Sequence, residues 1–320
     1  MVTATGSASL PTASADDGGV AMWKSLKTAG LLAAMSALLL LIGQQLGGST
    51  GLYIGLGFAM VMNIGSWFYS DKLAVRMARA QEVDQASNPA LHATVASLAE
   101  RAGEPMPRLY VSPSPQLNAF ASGRSPQHAV VCVNQGLLDA LTPEELEGVL
   151  GHELQHVYNR DILVGSVAAM IATAITFVAR IGFWFGGGNR ENSSPVGALA
   201  TLILAPIAAM LIQAAVTRSR EELADHTGAE LTGNPLGLAR ALAKLERGNN
   251  DPRRLRAGGT PMETSSSMAH LFIAAPFGGR LNPGKLFSTH PPIPDRIKAL
   301  GEQAREMGQL GPDESIFDHL

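Results

Sequence analysis

Hydrophobic and polar positions fall in long blocks along this chain. Residues 1–22, beginning "MVTATGSASLPTASADDGGV", are small and polar without a basic n-region. They read as a disordered tail and not as a cleavable signal peptide. From Thr28 to Ser70 there is no charged residue, and "QQLGGSTG" at 44–51 breaks the run midway. That pattern predicts a transmembrane hairpin over 23–70, each arm about 20 residues long, enough to cross roughly 30 Å of hydrocarbon. A second uncharged pair occupies 162–217. Ile162 to Ala179 ends at Arg180 and Trp184, which suit a membrane interface, and Asn192 to Thr217 follows the soft loop "GGGNRENSSP". Pro206 is expected to kink the last arm. This hairpin is less apolar than the first, and the pattern leaves open whether it spans or only dips into a bilayer.

The polar blocks between and after the hairpins are 71–161 and 218–320. In the first, "PRLYVSPS" and "AFASGRSPQHAVVCVN" predict short strands around a turn at Gly123 to Pro126. "TPEELEGVLGHELQHVYNRD" predicts an amphipathic helix, with Thr142 as N-cap, Pro143 at N1 and Glu145 completing a capping box. The second block predicts helices around 219–231 and Pro235 to Arg247, a Gly/Pro/Ser-rich loop, and a closing helix in "PPIPDRIKALGEQAREM". No internal repeat is evident.

Charge adds an orientation. Lys24 and Lys27 precede the first hairpin, and Lys72, Arg76 and Arg79 follow it. Arg160 precedes the second, and Arg218 and Arg220 follow it. By the positive-inside rule both termini and both polar blocks lie on the cytoplasmic side of a cell (inner) membrane. Composition agrees: 16% charged residues is low for a soluble domain, where about 25% is usual. A net charge of −3 leaves no nucleic-acid footprint. Cys132 is the only cysteine, so neither an intrachain disulfide nor a thiolate metal cage can form. Its apolar neighbours make it a core residue.

The candidate chemistry is concentrated near the second hairpin. His152 and His156 are one helical turn apart, so both imidazoles project from one face and can share a Zn²⁺. Glu153, beside the first, is placed to act as a base toward a water at the site. A catalytic site needs a third protein ligand and one open position. In "TRSREELADHTGAE", Glu221 and Asp225 share a helical face, so one can bind metal and the other can support it, while Glu222 points about 100° away. A hairpin returns the chain to the side it left, which brings this segment back to the histidines. His92, His128, His270 and His319 have no partner at ligand spacing.

Three segments, "GHELQHVYNRD", "TRSREELADHTGA" and "FSTHPPIPDRIKAL", resemble the HtpX membrane metalloproteases, relatives of the type I CAAX prenyl proteases. The likeness runs from Lys24 to about Leu300. It implies a mainly α fold with a small β-sheet: a zincin-like metalloprotease domain, in two halves at 71–161 and 218–320, on four transmembrane helices. It also implies one Zn²⁺ per chain on His152, His156 and Glu221, with Glu153 as general base and Asp225 orienting a ligand. His290 and Arg296 would help stabilise the tetrahedral intermediate. Asn118, Ala119, Phe120 and Ala121 would form the edge strand that pairs with substrate. The family's task is cleavage of misfolded or damaged membrane proteins, often under stress. One departure is His226, where the family commonly has Arg.

Two other readings fit parts of the sequence. An intramembrane protease is disfavoured because the acidic residues of the 142–161 segment would be costly to bury in lipid. A silent zinc scaffold needs no general base and would usually be closed by a fourth ligand.

Overall fold

The computed structural model describes residues 70–185, 195–249 and 291–320, with scattered positions between 50 and 69. The tail, most of the first hairpin, the loop "GGGNRENSSP" but for Pro195, and His290 lie outside the described residues. In order come α1 (Ser70–Met77), β1 (Gln81–Val83), α2 (Pro89–Ala102), β2 (Arg108–Ser112), β3 (Ala119–Ser122), β4 (Val130–Asn134) and α3 (Gln135–Ala140). Then follow α4 (Pro143–Tyr158), α5 (Asp161–Phe185), α6 (Pro195–Thr232), α7 (Pro235–Asn249) and α8 (Ile293–Glu306). The fold is mainly helical with one small mixed sheet, as expected.

The sheet runs β1-β2-β4-β3, with β2 and β4 parallel and both outer pairs antiparallel. Alternation sorts its residues. Leu109, Ala119, Ala121, Val131 and Val133 face the main core, built with Val149, Leu150 and Leu154 of α4 and Leu238 and Leu242 of α7. Tyr110, Phe120, Val130 and Cys132 face Ala74 and Ala78 around α1. Cys132 is therefore a core residue. β3 is the edge strand, yet all of it is buried, because α4 lies against it.

Helix α4 starts as its sequence dictates. Thr142 accepts from the Glu145 backbone N–H at 3.4 Å, and the Glu145 carboxylate accepts from the Thr142 N–H at 2.8 Å. The helix stops after Tyr158, where Arg160 adopts φ 56°, a left-handed conformation that non-glycine residues seldom take. That break aims α5 along a new direction. The helix expected around 219–231 is not a separate element but the last turns of α6, which runs unbroken from Pro195 through Pro206 to Thr232. Between Pro206 and Gly228 the sequence holds no Pro or Gly to end it.

Glycines set how closely α4 approaches its partners. A Cβ on Gly228 would stand 2.9 Å from the His152 backbone, and one on Gly151 would stand 2.6 Å from Thr232 Cγ2. A Cβ on Gly148 would meet the Leu238 N–H of α7 at 2.6 Å. The backbones of α4 and α6 touch at the turn that carries His152, so α6 delivers its carboxylates within bonding reach of it. Beyond the core, α5 and α6 pack on each other through Ala168, Ile171, Ala174, Ile175, Ala205, Ala209 and Val216. Outside that contact Leu163, Ile203, Leu204, Ile207, Met210 and Leu211 are exposed. Among the described residues, no helix is long and apolar enough to cross a membrane.

Candidate metal centre

His152 and His156 stand on one face of α4, with Glu221 opposite them on α6. Their Nε2 atoms are 3.1 Å apart. Glu221 Oε1 lies 3.3 Å from His156 Nε2, and Oε2 lies 3.7 Å from His152 Nε2. Bonds of about 2.0–2.2 Å to a tetrahedral ion place its ligand atoms about 3.3–3.6 Å apart. The triangle therefore has the size of one face of such a tetrahedron, and its donors are nitrogen and oxygen, which suit zinc. The three residues can hold a metal, and three protein ligands leave a fourth position open. Glu222 is exposed on the other side of α6, as its register requires.

Behind the ligands stands a second layer. Asp225 Oδ1 lies 2.9 Å from His152 Nδ1, the ring nitrogen turned away from the metal face. Arg296 grips Asp225 with two bonds, Nε to Oδ2 at 2.8 Å and Nη2 to Oδ1 at 2.7 Å, and its Nη1 is 3.8 Å from Glu221 Oε2. Asp225, expected to orient a ligand, stands between His152 and Arg296. The guanidinium of Arg296, expected to help stabilise the tetrahedral intermediate, is engaged with Asp225 and lies beside the ligand Glu221. His226 lies 3.2 Å from Glu230 and takes no part in the ligand triangle.

Glu153 is buried and points at β3, where its Oε2 accepts the Ala121 N–H at 3.0 Å. In β3 the Asn118 carbonyl accepts from the Asn134 N–H of the neighbouring strand at 2.9 Å. Antiparallel pairing alternates along a strand, so Asn118 and Phe120 turn their backbone toward β4, and Ala119 and Ala121 turn theirs toward the open edge. The four residues expected to meet substrate are thus together, with the outward groups beside the candidate base.

Burial dominates the electrostatics. It pushes the Glu153 carboxyl up to about 8, helped by the Glu221 charge and opposed by His156 and Arg296. It also holds His152 below the usual histidine value, against the pull of Asp225. Burial works against charge on His156 too, but Glu221, Asp161 and Glu153 outweigh it and push the imidazole up to about 9. Burial would likewise raise Asp225, and the Arg296 charge together with His152 reverses this and holds it well below the usual carboxylate range. One consequence is measurable. His156 raised above 7 is protonated at neutral pH in the metal-free protein and must lose that proton to bind an ion. Zinc uptake at pH 7 should therefore release about one proton or more, with affinity rising about tenfold per pH unit until His156 is deprotonated near 9. Calorimetry in buffers of different ionisation enthalpy reads this directly. Uptake without proton release would contradict the His156 environment.

The sequence profile of peptidase family M48 matches residues 85–304, a span that holds the metal triangle, Glu153 and β3. The chain belongs to peptidase family M48. It is 47% identical over 291 residues to a "Protease HtpX homolog" of Persephonella marina, covering 89% of this chain and 99% of the other. A homologue of the same name from Thermococcus kodakarensis is 47% identical over 296 residues, covering 91% and 99%. One from Pseudarthrobacter chlorophenolicus is 48% identical over 284 residues, covering 87% and 96%. The HtpX resemblance is thereby established, and this M48 protein is a metallopeptidase. Among solved structures, that of S. mikatae Ste24p superposes with a TM-score of 0.50 at 18% identity, covering 90% of this chain and 66% of the other. That likeness supports the fold.

Two residues of this M48 site were not expected from the sequence. Asp161 Oδ2 lies 2.7 Å from His156 Nδ1, and Arg220 bonds Asp161 in turn. On an uninterrupted helix, position 161 would sit about 140° around from His156. The break at Arg160 brings it back, and "NRD" after the second histidine was the only trace of it.

Proposed function

We propose that this M48 peptidase is a membrane-anchored zinc endopeptidase, with its site at the cytoplasmic face, that cleaves misfolded or damaged membrane proteins. The observation that carries the chemistry is the triangle of His152, His156 and Glu221 with Glu153 between it and an edge strand. When bound, zinc supplies a Lewis acid that activates the attacking water and polarises the scissile carbonyl. Glu153 would take a proton from the attacking water as general base and return it to the leaving amine as general acid. Ala119, and Ala121 through its carbonyl, hold the substrate backbone extended by strand addition, which is indifferent to side-chain identity and fits a broad substrate range. Asn118 and Phe120 fix that strand against β4. Asp225 and Arg296 position His152 and Glu221, and the HtpX resemblance gives His290 the role of a donor to the oxyanion.

The membrane part of the proposal is supported by the charge-free run from Thr28 to Ser70, by the apolar arms of 162–217, and by the exposed apolar side chains at 203–211 of α6. Basic residues flank the outer ends of both hairpins, which supports a cytoplasmic position for the ligand helices. A site so near the ends of the arms reaches loosened cytoplasmic loops of membrane proteins and not intact spans.

Two measurements test the proposal. The full-length chain in detergent should digest casein, lose that activity to a chelator and regain it with stoichiometric zinc. Activity that survives complete zinc removal would contradict the enzyme assignment. Reporter fusions after Ala80 and after Gln303 should read cytoplasmic, and one in the Gly47 to Thr50 loop external. An external readout after Gln303 would break the topology, because the two ligand helices could then not meet.

A further inference from the structure

Each histidine of the metal face has a carboxylate behind it, and each carboxylate has an arginine behind that. For His152 the pair is Asp225 and Arg296. For His156 it is Asp161, the first residue of α5, and Arg220, the residue of α6 just before the ligand Glu221. Asp161 Oδ2 stands 2.7 Å from His156 Nδ1. Arg220 bonds Asp161 Oδ1 through both Nε and Nη2, and Nη2 also donates to the Asn159 carbonyl at 2.9 Å. The Asp161 and Arg220 side chains are 8% and 10% exposed, too enclosed to be a solvated surface pair.

We propose that Asp161 and Arg220 are a positioning pair for His156, holding its imidazole in the tautomer and orientation that present Nε2 to the metal. The proposal rests on the metallopeptidase reading above.

Three observations carry it. First, the His152 side chain is fully buried and its ring is fixed by packing as well as by Asp225, whereas that of His156 is 17% exposed. A less enclosed ring depends more on the bond at Nδ1. Second, Asp161 reaches His156 only because Arg160 takes a left-handed φ of 56° between α4 and α5. An unusual backbone conformation persists where the surroundings hold it. Arg220 supplies that hold by bonding both ends of the break, the Asn159 carbonyl before it and the Asp161 carboxylate after it. Third, the two oxygens of Asp161 are divided between its partners: Oδ1 takes both Arg220 nitrogens and Oδ2 faces His156 Nδ1, so the guanidinium holds the carboxylate from the side away from the ring. An anionic carboxylate on Nδ1 keeps a proton on that nitrogen, so the proton lost on metal binding comes from Nε2 and its lone pair faces the metal, the arrangement metal-ligating histidines use. The pair therefore ties the metal face to the place where the two arms of the second hairpin leave the catalytic core.

The test is the zinc dissociation constant of the full-length chain in detergent, measured by competition with a chromophoric chelator. Asp161→Asn and Arg220→Gln should each weaken zinc binding by about 10–100-fold. The double variant should be little weaker than the worse single one, because the two residues act as one unit. Arg220→Lys, which keeps the charge and cannot bond Asp161 and the Asn159 carbonyl through separate nitrogens, should fall between parent and Arg220→Gln, and it serves as the test if the neutral variants do not fold. At saturating zinc, casein cleavage by each variant should show a lowered kcat at near-constant KM. A merely structural pair would lower the thermal midpoint of the metal-free protein and leave the zinc constant unmoved. Parent-like zinc affinity in Asp161→Asn or Arg220→Lys, or additive losses in the double variant, would overturn the proposal. A parent chain that binds no zinc would overturn both this and the metallopeptidase reading. A parent that binds zinc without cleaving casein would sink the enzyme reading alone, and the affinity series would still decide the clamp.

Discussion

Glu153→Gln is expected to keep its zinc and its fold while losing about 10²–10⁴-fold in the rate of casein cleavage. The substitution leaves His152, His156 and Glu221 untouched, so the ion has the same three donors. In the metal-free site burial already favours the uncharged form of this group. A carboxyl raised to about 8 by burial is held away from its charged form, and a neutral amide of the same shape has no such cost. The Ala121 N–H, now bonded to Glu153 Oε2 at 3.0 Å, can still donate to the amide oxygen. What disappears is the ability to accept and return a proton. Zinc analysis and cleavage rates on one preparation would show the split. A variant that cleaves at near the parental rate would remove Glu153 from the role of base, and one that loses zinc would place it among the ligands.

The parts of this site that follow helical periodicity were legible in the sequence. His152 and His156, four residues apart, share a face because α4 is regular there, and Thr142, Pro143 and Glu145 announced where that regular helix begins. The separation of Glu221 and Asp225 from Glu222 followed from the same periodicity on α6. Other features were hidden by local exceptions. Asp161 belongs to the site only through a left-handed residue at a position with neither Gly nor Asn, and no pattern of spacing predicts that. For Arg296 the residue was anticipated and its engagement was not: the two bonds to Asp225 depend on how α8 packs on α6. Helix α2 carries a cap at Asn88, a proline at N1 and a left-handed Gly103 at its end, start and stop signals that the sequence displays. Strand β1 is short and mostly exposed, so it has no alternation to reveal it.

The second large effect belongs to the third ligand. Glu221 and Glu222 are adjacent carboxylates on one helix, similar in charge and size, and they differ in direction. Glu221 is buried against both histidines, and Glu222 is exposed. Residues that only support a ligand cost about 10–100-fold in metal affinity when changed, so replacing a ligand itself should cost more than that. An amide oxygen lacks the charge that balances the ion, and Glu221→Gln should therefore purify with little or no zinc and no proteolysis. Glu222→Gln should match the parent within about twofold, as expected for a surface position. The zinc content of these two variants, measured side by side after identical dialysis, tests the central claim most directly. Loss in Glu221→Gln with full retention in Glu222→Gln is the predicted result. Equal loss in both, or loss only in Glu222→Gln, would contradict the metal face of His152, His156 and Glu221.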